Sequence, residues 1–340
     1  MEDNTYYKKK ILVVGGTGTI GKRLVNELLK HEPEVIRVFS RDEFKQFEME
    51  NELGHKDNIR YLIGDVRDYE RIERASKGIN VIFHLAAMKH VPACEYNPFE
   101  AVKTNVIGTQ NLIISAIKNN VGRVIFTSSD KAISPTNAMG ATKLLAEKLI
   151  SSADYNKGEA KTIFSAVRFG NVMGSRGSVI PLFKKQILES KEITVTNPEM
   201  SRFMMSIGQA VSLTMKAALV STGGEVFVLK MPVVRIKDLC EVVIEEMCKK
   251  YGMNKESIRT KVVGLRPGEK MYEELMTKEE SFSTYDLGEM FAITTGLHEK
   301  DYESTYKNYR KVNEMSYSSE EQEPISKDQI RDIILSESLL

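Results

Sequence analysis

The chain has 340 residues, 41% hydrophobic and 28% charged, a globular composition that excludes disordered, collagen-like and coiled-coil chains. Its 48 basic residues almost cancel its 47 acidic ones, which argues against recognition of nucleic acid or a membrane surface by bulk charge. No apolar run approaches the roughly 18 residues that span a bilayer, and three scattered cysteines and five histidines give neither a disulfide framework nor a metal site.

Residues 1–10 are polar and then basic, with no apolar signal region after them, which implies a cytoplasmic location. From there short β-branched runs alternate with longer amphipathic stretches, the pattern of βαβ units. Strands are expected at 10–14, 35–40, 59–63, 81–85, 124–128 and 163–168, nearly apolar throughout, as in strands covered on both faces. Helices are expected at 21–31, 101–119 and 138–150. This order predicts an α/β fold, a doubly wound parallel sheet of Rossmann-like type over 1–170, with ligands beyond the carboxyl ends of its strands. After Asn171 the alternation breaks, so 171–300 is expected to form mostly a smaller C-terminal lobe that can return a strand or helix to the first domain. The Met-rich stretch 200–215 reads as core filling, and Cys240 and Cys248 as buried thiols on a helix. Residues 301–340 are expected to be a polar, Tyr-rich surface arm and then a helix at 326–335.

The first strand runs into Gly15-Gly16-Thr17-Gly18-Thr19-Ile20-Gly21, and a helix opens at once. Glycines there allow a tight turn, close approach of backbone to a pyrophosphate and packing of helix on strand, while the helix amides receive the phosphates. Gly15, Thr17, Gly18, Thr19, Ile20 and Gly21 are therefore candidate dinucleotide contacts. The second strand ends in Phe39-Ser40-Arg41-Asp42. Ser40 and Arg41 can donate to a ribose 2′-phosphate, whereas Asp42 stands where an acid would accept a 2′-hydroxyl, and the balance favours NADP over NAD. Asp65 and Val66 are placed to meet adenine, and Leu85, Ala86 and Ala87 offer small residues along the cofactor.

The fifth strand ends in Thr127-Ser128-Ser129-Asp130-Lys131, and a helix carrying Met139 and Lys143 follows. With segments 15–21, 39–43, 64–68, 84–92, 103–108, 128–143, 168–183 and 264–270, these motifs resemble the extended short-chain dehydrogenase/reductases. Within them the chain is similar to the polysaccharide-biosynthesis branch of 4,6-dehydratases acting on UDP-N-acetylglucosamine. The likeness runs from residue 10 to about 293. It implies a tightly bound, recycled NADP, a UDP-N-acetylhexosamine substrate held by the smaller lobe, no nucleic-acid or membrane partner, and a homo-oligomer. It also implies a Ser/Thr at Ser129, the Asp130-Lys131 pair, and a Tyr-x-x-x-Lys pair at 139 and 143. Position 139 is methionine, and a thioether cannot shuttle a proton, so the ordinary phenolate base is absent.

Dehydration across sugar carbons 5 and 6 needs a base beside a ketone and an acid for the departing hydroxyl, and lysine beside aspartate supplies both kinds of group. Lys131 is expected as the base, kept partly neutral by desolvation and the Lys143 cation, with Asp130 as the acid. Lys143 is expected on the nicotinamide ribose, and Ser129 on the carbon-4 hydroxyl, whose proton goes to Asp130 or a water. The resemblance further implies Arg202 and Arg266 on the diphosphate and Asn171, Ser178 and Glu269 around the nucleotide. Lys89 is placed to meet the sugar; His90 reads equally as a packing residue, and Arg176 as a contact to phosphate or a neighbouring subunit. Similarity over 103–106 and 265–270 is to members that invert carbon 5. Two other readings remain: a UDP-sugar 4-epimerase, distinguished by no loss of water, and a catalytically silent NADP- and sugar-nucleotide-binding protein, suggested by Met139.

Overall fold

A computed structural model describes residues 4–175, 177–265, 268–295 and 302–340. Six apolar runs form β1 (Lys10–Val14), β2 (Val35–Ser40), β3 (Ile59–Ile63), β4 (Val81–His84), β5 (Arg123–Thr127) and β6 (Ile163–Arg168). They pair in parallel in the order β3-β2-β1-β4-β5-β6. Ile11, Leu12, Val13 and Val14 are wholly buried, because helices cover both faces. Those helices are α1 (Thr19–Leu29), α2 (Glu43–Leu53), α3 (Tyr69–Ser76), α4 (Val91–Tyr96), α5 (Pro98–Ala101), α6 (Gly108–Lys118) and α7 (Ala138–Asn156). Asp42, Asp68 and Asn137 start α2, α3 and α7 by accepting from the amide three residues on.

The single helix expected at 101–119 is interrupted by a π-helical stretch, Val102–Ile107. Its wider turn carries Asn105, which is buried and bonded to the Met88 amide (2.8 Å) and carbonyl (3.0 Å) and to Thr142 Oγ1 (3.0 Å). The loop after β4 is thereby tied to α7 beside the cleft.

The second half continues through β7 (Asn171–Val172), α8 (Val179–Ser190), β8 (Glu192–Val195), β9 (Ser201–Met205), α9 (Ile207–Val220), β10 (Val226–Leu229), β11 (Val233–Arg235), α10 (Ile236–Tyr251) and β12 (Arg259–Val262). It ends in β13 (Glu274–Met276), α11 (Lys278–Ser281), β14 (Thr284–Asp286), β15 (Met290–Ile293), α12 (Tyr302–Thr305), β16 (Arg310–Lys311), β17 (Tyr317–Ser318) and α13 (Lys327–Ser336). Parallel β10 joins β6, and antiparallel β15, β14 and β16 follow, so among the described residues the main sheet has ten strands. The smaller lobe has its own core, built by α8, α10, α13 and β8 around Phe183, Ile193, Val243 and Ile330. Met200, Met204, Met205, Met215, Cys240 and Cys248 are all buried, as core filling requires.

Residues 302–324 run over the surface, most of them exposed, but the segment is anchored by buried side chains. Tyr302, Tyr306 and Tyr317 are buried, with their hydroxyls donating to Gly223 O (2.7 Å), Glu225 Oε1 (3.0 Å) and Met231 O (3.2 Å). Tyrosine brings an apolar ring and a phenol that finds a buried acceptor, so a segment short of aliphatics still packs. Among the described residues, no helix is long and apolar enough to cross a membrane.

Candidate active site

A cleft of about 720 Å³ opens at the carboxyl ends of the parallel strands, where the strand order reverses between β1 and β4. Gly15 has φ +84°, and a Cβ there would lie 2.8 Å from the Ala86 amide nitrogen; a Cβ on Gly21 would lie 2.6 Å from the Gly15 and Gly16 carbonyl oxygens. Only glycine closes this turn against both the strand and the loop after β4. Gly18 precedes α1 without a side-chain cap, and Gly15 to Gly21, save Gly16, line the cleft together with Leu85, Ala86 and Ala87. The residues fit a dinucleotide: an uncapped helix start and a cradle that any Cβ would fill.

At the other end of this limb, Asp42 accepts from the Lys45 amide (3.1 Å) and pairs with Lys45 Nζ (2.5 Å), so both of its oxygens are engaged. Ser40 and Arg41 line the cleft beside it. Val66 lines the cleft, but Asp65 does not: it is gripped by Arg67 (3.0 and 2.7 Å) and lies 3.6 Å from Arg41. Burial would raise the Asp65 carboxyl, but these guanidinium groups hold it below the usual range.

The side of the cleft beside β5 and β6 carries a cluster of ionisable side chains. After β5 the chain makes a short 3₁₀ turn, Asp130–Ala132, capped by Ser129 Oγ, which accepts from the Lys131 amide (3.2 Å) and donates to Asp130 Oδ1 (2.7 Å). Lys131 Nζ donates to Asp130 Oδ2 (2.8 Å) and to Glu273 Oε1 (3.4 Å). The α7 start packs on this turn because Gly140 has no side chain: a Cβ would fall 2.2 Å from the Lys131 carbonyl oxygen. Met139 is buried with Cys94 and Ala101, and lines the cleft without offering a proton. Lys143 Nζ donates to Thr127 O (2.5 Å) and lies 3.9 Å from the Phe126 ring centre. Burial pulls it down to about 7.

Two expectations are corrected here. Lys131 is not kept partly neutral: burial does lower its pKa, but Asp130 and Glu273 on either side outweigh that and hold it above the ordinary lysine value, as an ammonium. Asp130 is correspondingly held below its usual range by Lys131, against the effect of its burial. Arg202 does not line the cleft. Its guanidinium donates to the carbonyls of Ser201 (2.8 Å), Met271 (3.1 Å) and Lys270 (2.8 Å) and lies 3.3 Å from Glu273 Oε1, so its donors are already engaged within the protein instead of facing a diphosphate. Lys89, His90, Asn171 and Ser178 line the cleft; Glu269 does not, and Arg176 and Arg266 lie outside the described residues.

Glu273 is the residue that sequence reasoning missed. Its carboxyl accepts from Asn171 Nδ2 (2.7 Å), and burial, reinforced by the Asp130 charge, pushes it up to about 7. No local signal singled it out: Glu273 shares a face with Leu275 and Glu274 with Met276, both wholly buried, so alternation does not say which acid turns inward.

Residues 11–295 match the family described as polysaccharide biosynthesis protein. The chain belongs to this family, in the polysaccharide-biosynthesis branch of the extended short-chain dehydrogenase/reductases. It is 40% identical over 300 residues to a Campylobacter jejuni UDP-N-acetylglucosamine 4,6-dehydratase (inverting), covering 88% of this chain and 86% of that one. It is 38% identical over 337 residues to a Rickettsia bellii UDP-glucose 4-epimerase, covering 97% and 96%. A Methanocaldococcus jannaschii relative described as an uncharacterized membrane protein is 52% identical over 332 residues, covering 97% and 96%. Among solved structures, Pen from Bacillus thuringiensis superposes with a TM-score of 0.93 at 53% identity, covering 99% of each chain.

Proposed function

We propose that this family member is a nucleotide-sugar-modifying enzyme of the dehydratase and epimerase group, and specifically a 4,6-dehydratase that converts UDP-N-acetylglucosamine to a UDP-4-keto-6-deoxy-N-acetylhexosamine. The observation that carries the reading is the Asp130–Lys131 ion pair at the cleft, backed by the buried Glu273 carboxyl. Elimination needs an acid and a base side by side, and hydride transfer at one carbon does not. The 40% identity to an inverting dehydratase favours the same substrate and inversion at carbon 5.

A bound nicotinamide dinucleotide supplies the hydride acceptor and donor, held by the turn Gly15 to Gly21, by Ser40 and Arg41, and by Lys143 at the ribose. NADP is favoured because Ser40 and Arg41 offer donors while Asp42 is occupied by its helix and by Lys45. Ser129 positions the carbon-4 hydroxyl and Asp130 accepts its proton. With Lys131 as amine and Asp130 as carboxylic acid, the lysine removes the carbon-5 proton and the aspartic acid protonates the oxygen leaving carbon 6. Met139 takes no proton and shapes an apolar wall beside Met88 and Val91.

The 38% identity to an epimerase supports a second reading, reversal of configuration at carbon 4. Incubation with UDP-N-acetylglucosamine followed by mass measurement separates the two. A product lighter by one water is expected, and an unchanged mass overturns the dehydratase. Thermal shifts with NADP and NAD test the cofactor: the larger shift is expected with NADP, and a larger shift with NAD overturns that preference.

A further inference from the structure

We propose that Glu273 is a positioning residue of the dehydration, storing on its carboxyl the proton that Lys131 gives up to become a base until carbon 5 is reprotonated; this rests on the dehydratase reading above. Glu273 does not line the cleft, so it acts through Lys131 and Asp130. Its side chain is only 7% exposed, yet it sits 3.4 Å from Lys131 Nζ, which Asp130 holds from the other side at 2.8 Å. The charged groups that face it are Asp130 and Lys131 from the turn after β5 and Arg202 from β9, with neutral Asn171 from β7. Two acids and two bases thus alternate between a fully ionised state and one with a single added proton.

The backbone of Glu273 is clamped independently of its charge. Its amide donates to Ser319 Oγ (2.9 Å), its carbonyl accepts from the Ser319 amide (2.8 Å), and Ser319 Oγ meets Ser201 Oγ at 2.9 Å. Pairing of β13 with β17 extends this clamp, so the 317–319 segment, far along the chain, fixes the carboxyl under the catalytic pair.

The proton count requires such a site. Oxidation of carbon 4 sends a hydride to the cofactor and the hydroxyl proton to Asp130, leaving an acid beside an ammonium. Lys131 becomes a base only by passing a proton to Glu273. Elimination then breaks the carbon-5 to hydrogen bond, whose proton goes to the Lys131 amine while its electron pair forms the double bond between carbons 5 and 6. The bond from carbon 6 to oxygen breaks, and Asp130 protonates the departing hydroxide as water. When hydride returns to carbon 6, a water on the opposite face protonates carbon 5, as inversion requires; Lys131 gives a proton to the hydroxide left behind and takes back the proton from Glu273. Every group ends in its starting state.

The test uses the full chain loaded with NADP and the variant Glu273→Gln, which keeps an acceptor for Asn171 and takes up no proton. Expected are a fall in kcat of about 10²-fold, KM within twofold, and loss of the acid limb that Glu273 gives the wild-type kcat profile near pH 7. An undiminished kcat, or an acid limb retained in the variant, overturns the proposal. Infrared titration of the ligand-free protein gives a readout without turnover: a carboxylic-acid band that appears on acidification through neutral pH in wild type and is missing in Glu273→Gln. Absence of water loss by wild type overturns the dehydratase reading alone, whereas absence of that titrating band overturns proton storage by Glu273.

Discussion

The two limbs of the cleft are built in opposite ways. The glycine turn at the heart of the proposed dinucleotide limb comes from one strand-turn-helix unit, seven consecutive residues from Gly15 to Gly21. The proposed catalytic limb gathers Asp130 and Lys131 from the turn after β5, Asn171 from β7, Arg202 from β9 and Glu273 from the entry to β13, with Ser319 behind them. A local site is specified by backbone sterics and written in neighbouring letters. A gathered site is specified by charge balance among residues that meet only after folding.

If that contrast holds, damage to the gathered limb stops chemistry while leaving cofactor binding, and damage to the local limb does the reverse. The largest expected effect is from Lys131→Ala, with kcat for water loss down by about 10²- to 10⁴-fold and NADP affinity unchanged in a fluorescence titration; undiminished turnover removes Lys131 from the mechanism. Next is Arg202→Met, which leaves Glu273 and Asp130 short of a buried cation. Denaturant unfolding at neutral pH is expected to show a loss of about 3–5 kcal/mol, whereas a purely diphosphate-binding Arg202 would raise KM with stability unchanged. Gly15→Ala forces a side chain at φ +84° into the Ala86 backbone, and strain of about 1–3 kcal/mol is expected to weaken NADP binding in calorimetry without moving the pH profile of kcat.

The last effect is the pH dependence of stability. Glu273 is raised from 4.5 to about 7 in the fold, so its contribution is complete below about 4.5 and is lost as pH rises through about 7. Lys143, lowered from 10.5 to about 7, works in the other direction: stability is gained as pH rises from about 7 toward 10.5. Substituting Glu273→Gln should flatten only the acid-side component in thermal unfolding across pH, and an unchanged curve would show that Glu273 does not titrate between its folded and unfolded states.

What was legible in the sequence follows the same division. Strands at 10–14, 35–40, 59–63 and 163–168 have the expected bounds, since each is a β-branched run closed by turn residues. The glycine turn was legible for the same local reason. Arg202 was expected on the diphosphate from the family resemblance, and the carbonyls of Lys270 and Met271 that engage it meet it only in the fold. Lys131 was expected neutral because burial was anticipated and the second carboxylate was not. The anchoring of the 302–324 segment was not legible because it depends on three tyrosines, each with a buried partner found only in the folded chain.

The most direct test of the account is the mass of the nucleotide sugar recovered after the NADP-loaded wild-type protein is incubated with UDP-N-acetylglucosamine. A product lighter by one water, formed by wild type and absent with Lys131→Ala, is the predicted result. An unchanged mass with the fully loaded wild-type protein contradicts it.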